Sequence, residues 1–168
     1  MAWTFSMLND DTTLALNDMA NYAVKLDGFS APSPPRLASW GGATLFRHGE
    51  DLIERVFRNR TVTLDVWIIG TSQDNLIANI NAIHQLLDLA ADFSKYGLHS
   101  QVKLRRQWDS GTNQVDFHVI AGVLDVPDET SVIHSKNSRV SGRLTLVCKP
   151  FAYGAQETAS NHIKDPMI

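Results

Sequence analysis

At Gly70 the hydrophobic repeat of this chain changes period, and that change limits the folds open to it. Val62, Leu64, Val66 and Ile68 occupy one face of a period-two pattern, and Thr61, Thr63, Asp65 and Trp67 the other, which predicts a strand over 60–69. Gly70 ends that strand. Thr71 and Ser72 are N-cap residues, and Thr71 with Asp74 has the spacing of a capping box. Residues 73–95 then place Leu76, Ile77, Ile80, Ile83, Leu87 and Ala90 or Ala91 in one stripe at helical spacing. Asn75, Asn79, Asn81, Gln85, Asp88 and Asp92 fill much of the remaining surface, and Gly97 stands where a C-cap is wanted. A one-sided helix of this length has to lie against a sheet or another helix, and this is the only strong helical pattern in the chain.

The rest reads as strands. Residues 12–16 and 22–29 alternate around a turn at Asn17-Asp18, which predicts an opening hairpin with Tyr22, Val24 and Leu26 on one face. Val102 and Leu104 oppose Lys103 and Arg105 in 101–108. Val115, Phe117 and Val119 alternate with Asp116 and His118, so 101–108 and 114–124 form an antiparallel pair around the loop 109–113. A last pair, 130–134 with 139–149, closes the sheet with Leu144 and Leu146 inward; beyond Pro150 the periodicity stops. Strands with one helix outside alternating order give an α+β, mainly β domain: a β-sandwich or open barrel flanked by one α-helix.

Residues 30–49 break the pattern. Three prolines in 32–35 lack backbone donors, and Gly41, Gly42 and Gly49 punctuate the rest. A connection this long inside one domain usually has a function. It also carries Leu37, Trp40, Leu45 and Phe46, which a solvated loop has little reason to hold. The segment 30–59 is therefore read as an extended arm that packs on something, a neighbouring subunit included. Trp67, opposite the apolar face of its strand, joins those four as a suspected subunit-interface residue, although covering of both faces within a sandwich core is the simpler account of it. Residues 1–153 make the domain, and 154–168 a polar, flexible tail.

Composition removes several functions. The 168 residues carry a net charge of −3 with scattered cations, and Lys103, Arg105 and Arg106 beside Trp108 are the densest basic spot, read as a solvated strand face rather than a dedicated nucleic-acid site. The one cysteine, Cys148, excludes an internal disulfide and sits in an apolar run where an inert buried thiol is expected. The six histidines show no metal-ligand spacing. No nucleophile elbow, phosphate loop or dinucleotide fingerprint is present, so no catalytic residue, metal or cofactor is assigned. No leader and no membrane span is apparent, and synthesis and folding in a cytoplasm are expected.

The order Gly49-x-x-Leu52, Arg60-x-Val62-x-Leu64, a strand ending in Gly70 and a helix opening Thr71-Ser72-Gln73-Asp74-Asn75-Leu76 resembles the N-terminal domain of phage distal tail proteins, within the tail-tube superfamily. The closing run from Val140-Ser141-Gly142-Arg143 through Leu144-Thr145-Leu146 to Lys149-Pro150-Phe151 is similar to the end of that domain. The match spans residues 10–153. It implies a β-sandwich with a flanking helix and six copies closed into a ring. DNA passes through the lumen without being read, and stacked rings link the tail tube to the tip or baseplate hub. Distal tail proteins often carry a second, carbohydrate-binding-like domain, for which these 168 residues leave no length. The resemblance thus implies a virion tail component assembled in the host cytoplasm, a homo-oligomer with other tail proteins as partners and no membrane. The major tail-tube subunit is the alternative role, and a carbohydrate-binding module the alternative of another class.

Overall fold

The computed structural model describes residues 3–40, 52–108, 113–126 and 139–154, with the backbone alone at 37–40 and 52–55. Its elements are β1 (Trp3–Leu8), β2 (Thr13–Ala15), β3 (Tyr22–Ser30), β4 (Arg36–Trp40), β5 (Leu52–Phe57), β6 (Arg60–Ile69), α1 (Gln73–Tyr96), β7 (Lys103–Trp108), β8 (Asn113–Asp125) and β9 (Arg139–Cys148). Seven strands form one antiparallel sheet in the order β2-β1-β7-β8-β9-β6-β3, and β4 and β5 pair separately. The fold is α+β and mainly β, as the alternation predicts.

The sheet is bent on itself, and the chain shows why. β2 and β3 stand at its opposite ends, yet only residues 16–21 join them, so the ends must meet. Strand β8 is the corner: residues 113–118 pair with β7, and residues from Val119 onward pair with β9. At the seam, the Asn17 side-chain amide donates to the Trp3 carbonyl at 3.0 Å and accepts from the Val24 N–H at 3.4 Å, holding both ends. The Phe5 and Phe29 rings meet there at 5.1 Å. The result is an open barrel.

Two expectations fail at this seam. The strands over 13–15 and 22–30 are not a hairpin; β2 pairs with β1, and β3 with β6. The Asp18 carboxylate accepts the N–H groups of Ala20, Asn21 and Tyr22 at 2.8–3.0 Å, which carries the chain across the barrel mouth instead of reversing it within one sheet. Leu26 does not continue the Tyr22–Val24 face. Val24 opposes Val66 and Phe29 opposes Leu64, so β3 holds a bulge of extra residues with Asp27 at φ 58°, and Leu26 is 94% exposed while Phe29 takes the inner position.

The strand over 60–69 matches its expectation residue for residue: Val62, Leu64, Val66 and Ile68 are fully buried. Leu144, Leu146 and Cys148 of β9 share that layer. Burying each of these aliphatic side chains contributes about 1.5–3 kcal/mol. Strand β9 is central, between β8 and β6, not an edge; the expected partner over 130–134 lies outside the described residues. In β8 a bulge between Val119 and Ala121 shifts the parity, so Phe117 and Val119 before it, and Gly122 and Leu124 after it, stay on the inner face.

Helix α1 lies on β8 and β6 through Leu76, Ile83, Leu86, Leu87 and Ala90. Ser72 is the N-cap, its hydroxyl accepting the Asn75 N–H, and the Asn75 side chain accepts the Thr71 N–H. The cap is thus Ser72 with Asn75, whose side chain reaches back to the residue before the cap, and not Thr71 with Asp74, because the helix starts one residue later than the Thr71 spacing requires. Gly97 ends the helix in the left-handed region at φ 68°, as expected. Ile77, counted in the apolar stripe, is 37% exposed. Asn79, counted with the polar residues, is instead an anchor: its side-chain amide donates to the Ile69 carbonyl at 2.6 Å, and its backbone carbonyl accepts the Tyr22 hydroxyl at 2.8 Å.

Candidate interaction surfaces

Three surfaces carry unusual chemistry. The first is the outer face of β8-β9-β6-β3, opposite the helix-covered side. Its rungs follow from the register: Thr61 with Val147 and Ala121, Thr63 with Thr145 and Val123, Asp65 with Arg143 and Asp125, and Trp67 with Ser141. Val123 is 66% exposed, and Val147 and Trp67 are each 36% exposed. The Lys25 ammonium lies 4.7 Å and the Arg139 guanidinium 5.3 Å from the Trp67 ring centroid, so the indole is flanked by two cations and still faces outward. The Lys25 ammonium also donates to the Ser141 hydroxyl. Arg143 donates twice to Asp65 at 2.7 and 3.0 Å and holds its carboxyl below the ordinary value, with Lys25 adding to the effect. Among the described residues no helix or strand covers this face.

The second surface is the arm. Strands β4 and β5 form an antiparallel hairpin, with Leu37 opposite Val56 and Trp40 opposite Leu52. Leu45 and Phe46 lie outside the described residues; of the other three suspected interface residues, Leu37 and Trp40 are on this hairpin and Trp67 is on the outer sheet face. The base of the hairpin is tied by the Arg58 N–H donating to the Pro35 carbonyl at 2.9 Å. The Phe57 ring meets Phe151 edge-on at 5.1 Å, which joins the arm to the segment after β9.

Beyond Pro150, where the alternation ends, that segment still pairs with the sheet. Tyr153 and Asp116 exchange backbone hydrogen bonds at 2.7 and 2.9 Å, and the Tyr153 ring stacks on His118 at 4.2 Å. Burial pushes the His118 imidazole below its ordinary value, with Lys149 and Lys103 acting in the same direction and Asp116 against them. Residues 155–168 lie outside the described residues.

The basic spot is not one solvated face. Strand alternation sends Arg105 and Arg106 to opposite sides of β7. Arg105 donates to both oxygens of Asp116 at 2.8 Å, a bidentate pair with the carboxylate 8% exposed; that hydrogen bonding raises the Arg105 value. Arg106 points into the seam, its guanidinium 3.6 Å from the Trp3 ring and 4.8 Å from Phe29. A cleft of about 530 Å³ opens there between Trp3, Phe5, Asn17, Val24, Phe29 and Arg106. Nothing in the spacing of the sequence marks this cleft, since it joins strands from opposite ends of the sheet. Cys148 is buried, and burial pushes its thiol up to about 12, so it is inert as expected. Among the described residues no three His, Cys, Asp or Glu side chains group as a metal site, and no helix is long and apolar enough to cross a membrane.

Comparison with solved structures finds a similar fold in phage proteins. The Dit protein of phage SPP1, described as a paradigm of the hub adsorption apparatus in phages infecting Gram-positive hosts, matches with a TM-score of 0.51 at 15% identity, over 89% of this chain and 52% of its own. A chain of the phage p2 baseplate in its activated conformation matches with TM-scores of 0.56 with Sr and 0.55 with Ca, each at 10% identity over 88% of this chain and 44% of that one. The chain spans about half the length of the structures it matches. No protein-family model and no curated protein sequence matches it. The resemblance to distal tail proteins therefore holds as a likeness of fold.

Proposed function

From that likeness of fold we propose that this chain is a structural component of a phage tail. Specifically, it is a ring-forming distal tail protein of the tip or baseplate hub, linking the tail tube to the tip. The observation that carries the reading is the match over nearly nine-tenths of the chain to one Dit protein and one baseplate chain. The uncovered sheet face supports it. Trp67, Val123 and Val147 lie exposed together on it among charges of both signs, the composition of a surface that meets another protein.

A head-to-tail contact that closes by rotation builds a ring, and the arm hairpin and outer face supply two different patches for such a contact. Leu37, Trp40, Leu45, Phe46 and Trp67 are the residues assigned to it. The lumen passes DNA without reading it, and neighbouring rings of other tail proteins are the partners. The virion tail is the site of action, with assembly in the host cytoplasm. No reaction is assigned.

Light scattering after size exclusion, with negative-stain microscopy of the same fractions, tests this. The expected particle is a ring of about six times the 18.7 kDa chain mass. A monomer at every concentration, together with absence from the tail tip of the native particle by immunogold labelling, refutes it.

A further inference from the structure

Arg106 is one of three side chains among the described residues, with Arg60 and His118, whose buried nitrogen has no hydrogen-bond partner. It stands on the inward side of β7, opposite Phe5 of β1, where the alternation of the neighbouring strands places Met7, Leu104 and Phe117, all buried. Its guanidinium touches the faces of Trp3 and Phe29, and its Nε is buried with no hydrogen-bond partner. Arg105, one residue earlier, has a bidentate carboxylate. Among the described residues Arg106 has no ion pair. Asp27 lines the same cleft but forms no ion pair with it. Burial pushes the Arg106 value below its ordinary range, the sign of a cation that has lost water without gaining a counter-charge.

The surroundings are those of a socket. Trp3 and Phe29 hold the guanidinium carbon over their rings at 3.6 and 4.8 Å, and a guanidinium so held can offer its N–H fork to a planar acceptor. Trp3, Phe5, Val24 and Phe29 supply an apolar wall, and Leu26 and Met19, 94% and 67% exposed, form an apolar rim. The Lys25 ammonium is engaged on the outer face by Ser141 and Trp67, so Arg106 is the cation left for a ligand.

We propose that the seam cleft is a docking socket for a segment of a partner protein in which a Glu or Asp side chain is flanked by apolar residues. Arg106 pairs with the carboxylate, and the aromatic wall and the Leu26–Met19 rim take the flanks. Charge complementarity commits the occupant: an apolar segment alone leaves the guanidinium unpaired, and a basic one repels it. The socket is independent of whether the chain forms rings.

Titration calorimetry and tryptophan fluorescence on the full chain test it, using the capped pentapeptide Ser-Val-Glu-Val-Ser and its Gln-centred twin as probes. The Glu peptide is expected to bind at least about tenfold more tightly than the Gln peptide, as charge-assisted hydrogen bonds require. Arg106→Met is expected to erase that difference, and Arg106→Lys to keep part of it. Because Arg106 packs among aromatic rings, a rim pair guards against misfolding: Leu26→Lys is expected to tighten the Glu peptide and Leu26→Glu to weaken it, with circular dichroism unchanged. Equal binding of the two peptides, no binding of either at millimolar concentration, or indifference to the Leu26 charge overturns the proposal.

Discussion

Replacing Gly122 by alanine sets two physical expectations against each other, with opposite signs. Seen as a glycine inside a strand, Gly122 weakens the protein, and alanine should stabilise it by about 0.4–1 kcal/mol through a less flexible unfolded chain. The structure reverses that. A β-carbon at 122 would stand 2.6 Å from Leu146 Cδ2, 2.8 Å from Leu87 Cδ2 and 3.1 Å from the Thr145 carbonyl oxygen. Both leucines are buried, Leu146 fully and Leu87 at 4% exposure, so their methyls would have to turn within the core, while the Thr145 backbone oxygen is held by the sheet. Overpacking of this kind costs about 1–3 kcal/mol. The net expectation is a loss of about 1–2 kcal/mol, which lowers the melting temperature by about 2–8 °C in a domain of this size. The companion variant Leu87→Ala should itself cost about 2–4 kcal/mol through the cavity it leaves. In that background Gly122→Ala should become neutral or stabilising, because the new methyl enters the vacated space. Urea unfolding followed by circular dichroism at the helix band and by tryptophan fluorescence measures all four corners of the cycle. A Gly122→Ala protein as stable as the parent, or a cost unchanged by Leu87→Ala, refutes the packing of α1 on the β8 bulge.

Four further outcomes are expected. Asp18→Ala removes the acceptor for three backbone N–H groups and should cost about 1 kcal/mol, near the value of a lost N-cap because the carboxylate is exposed. Burial would raise the Asp18 carboxyl, but the N–H groups of Tyr22, Asn21 and Ala20 outweigh it and hold the folded value below 3.8. That stability is complete above the unfolded value and is lost as pH falls through the folded one. The parent and Asp18→Ala stability curves should thus converge in acid. Asp116→Asn should cost about 2 kcal/mol by stranding Arg105, and the double variant Arg105→Met, Asp116→Leu should recover part of it in denaturant titrations. Cys148 should resist a thiol reagent at pH 8 in the native protein and react at the rate of unfolding in urea. Val123→Glu, on the outer face and 66% exposed, should change monomer stability by under about 0.5 kcal/mol while dissociating any larger particle in sedimentation runs.

Residues whose role depends on near neighbours were legible before the fold was known. The inward set of β6 and the C-cap at Gly97 match their expectations, and the span of α1 differs by one residue at its end. In each case a local period or a single backbone conformation carries the information. The resemblance to distal tail proteins was also legible, since it rests on the order of such elements and the structural matches agree with it at the level of fold.

What escaped the sequence is non-local. Nothing near residues 12–29 tells that β2 and β3 end on opposite margins of one sheet, because strand order is set by barrel closure. The bulges at 24–29 and 119–121 each shift a strand's parity, so Leu26 moved outward and Gly122 moved under the helix. The candidate site divides the same way. Trp67 was visible from its place opposite an apolar face. Arg106 looked like its neighbours, because only the meeting of β1, β3 and β7 sets it against two aromatic rings and takes it partly out of water. Periodicity decides which way a side chain leaves its own strand. What it then meets depends on how distant strands close around it, and no local pattern encodes that.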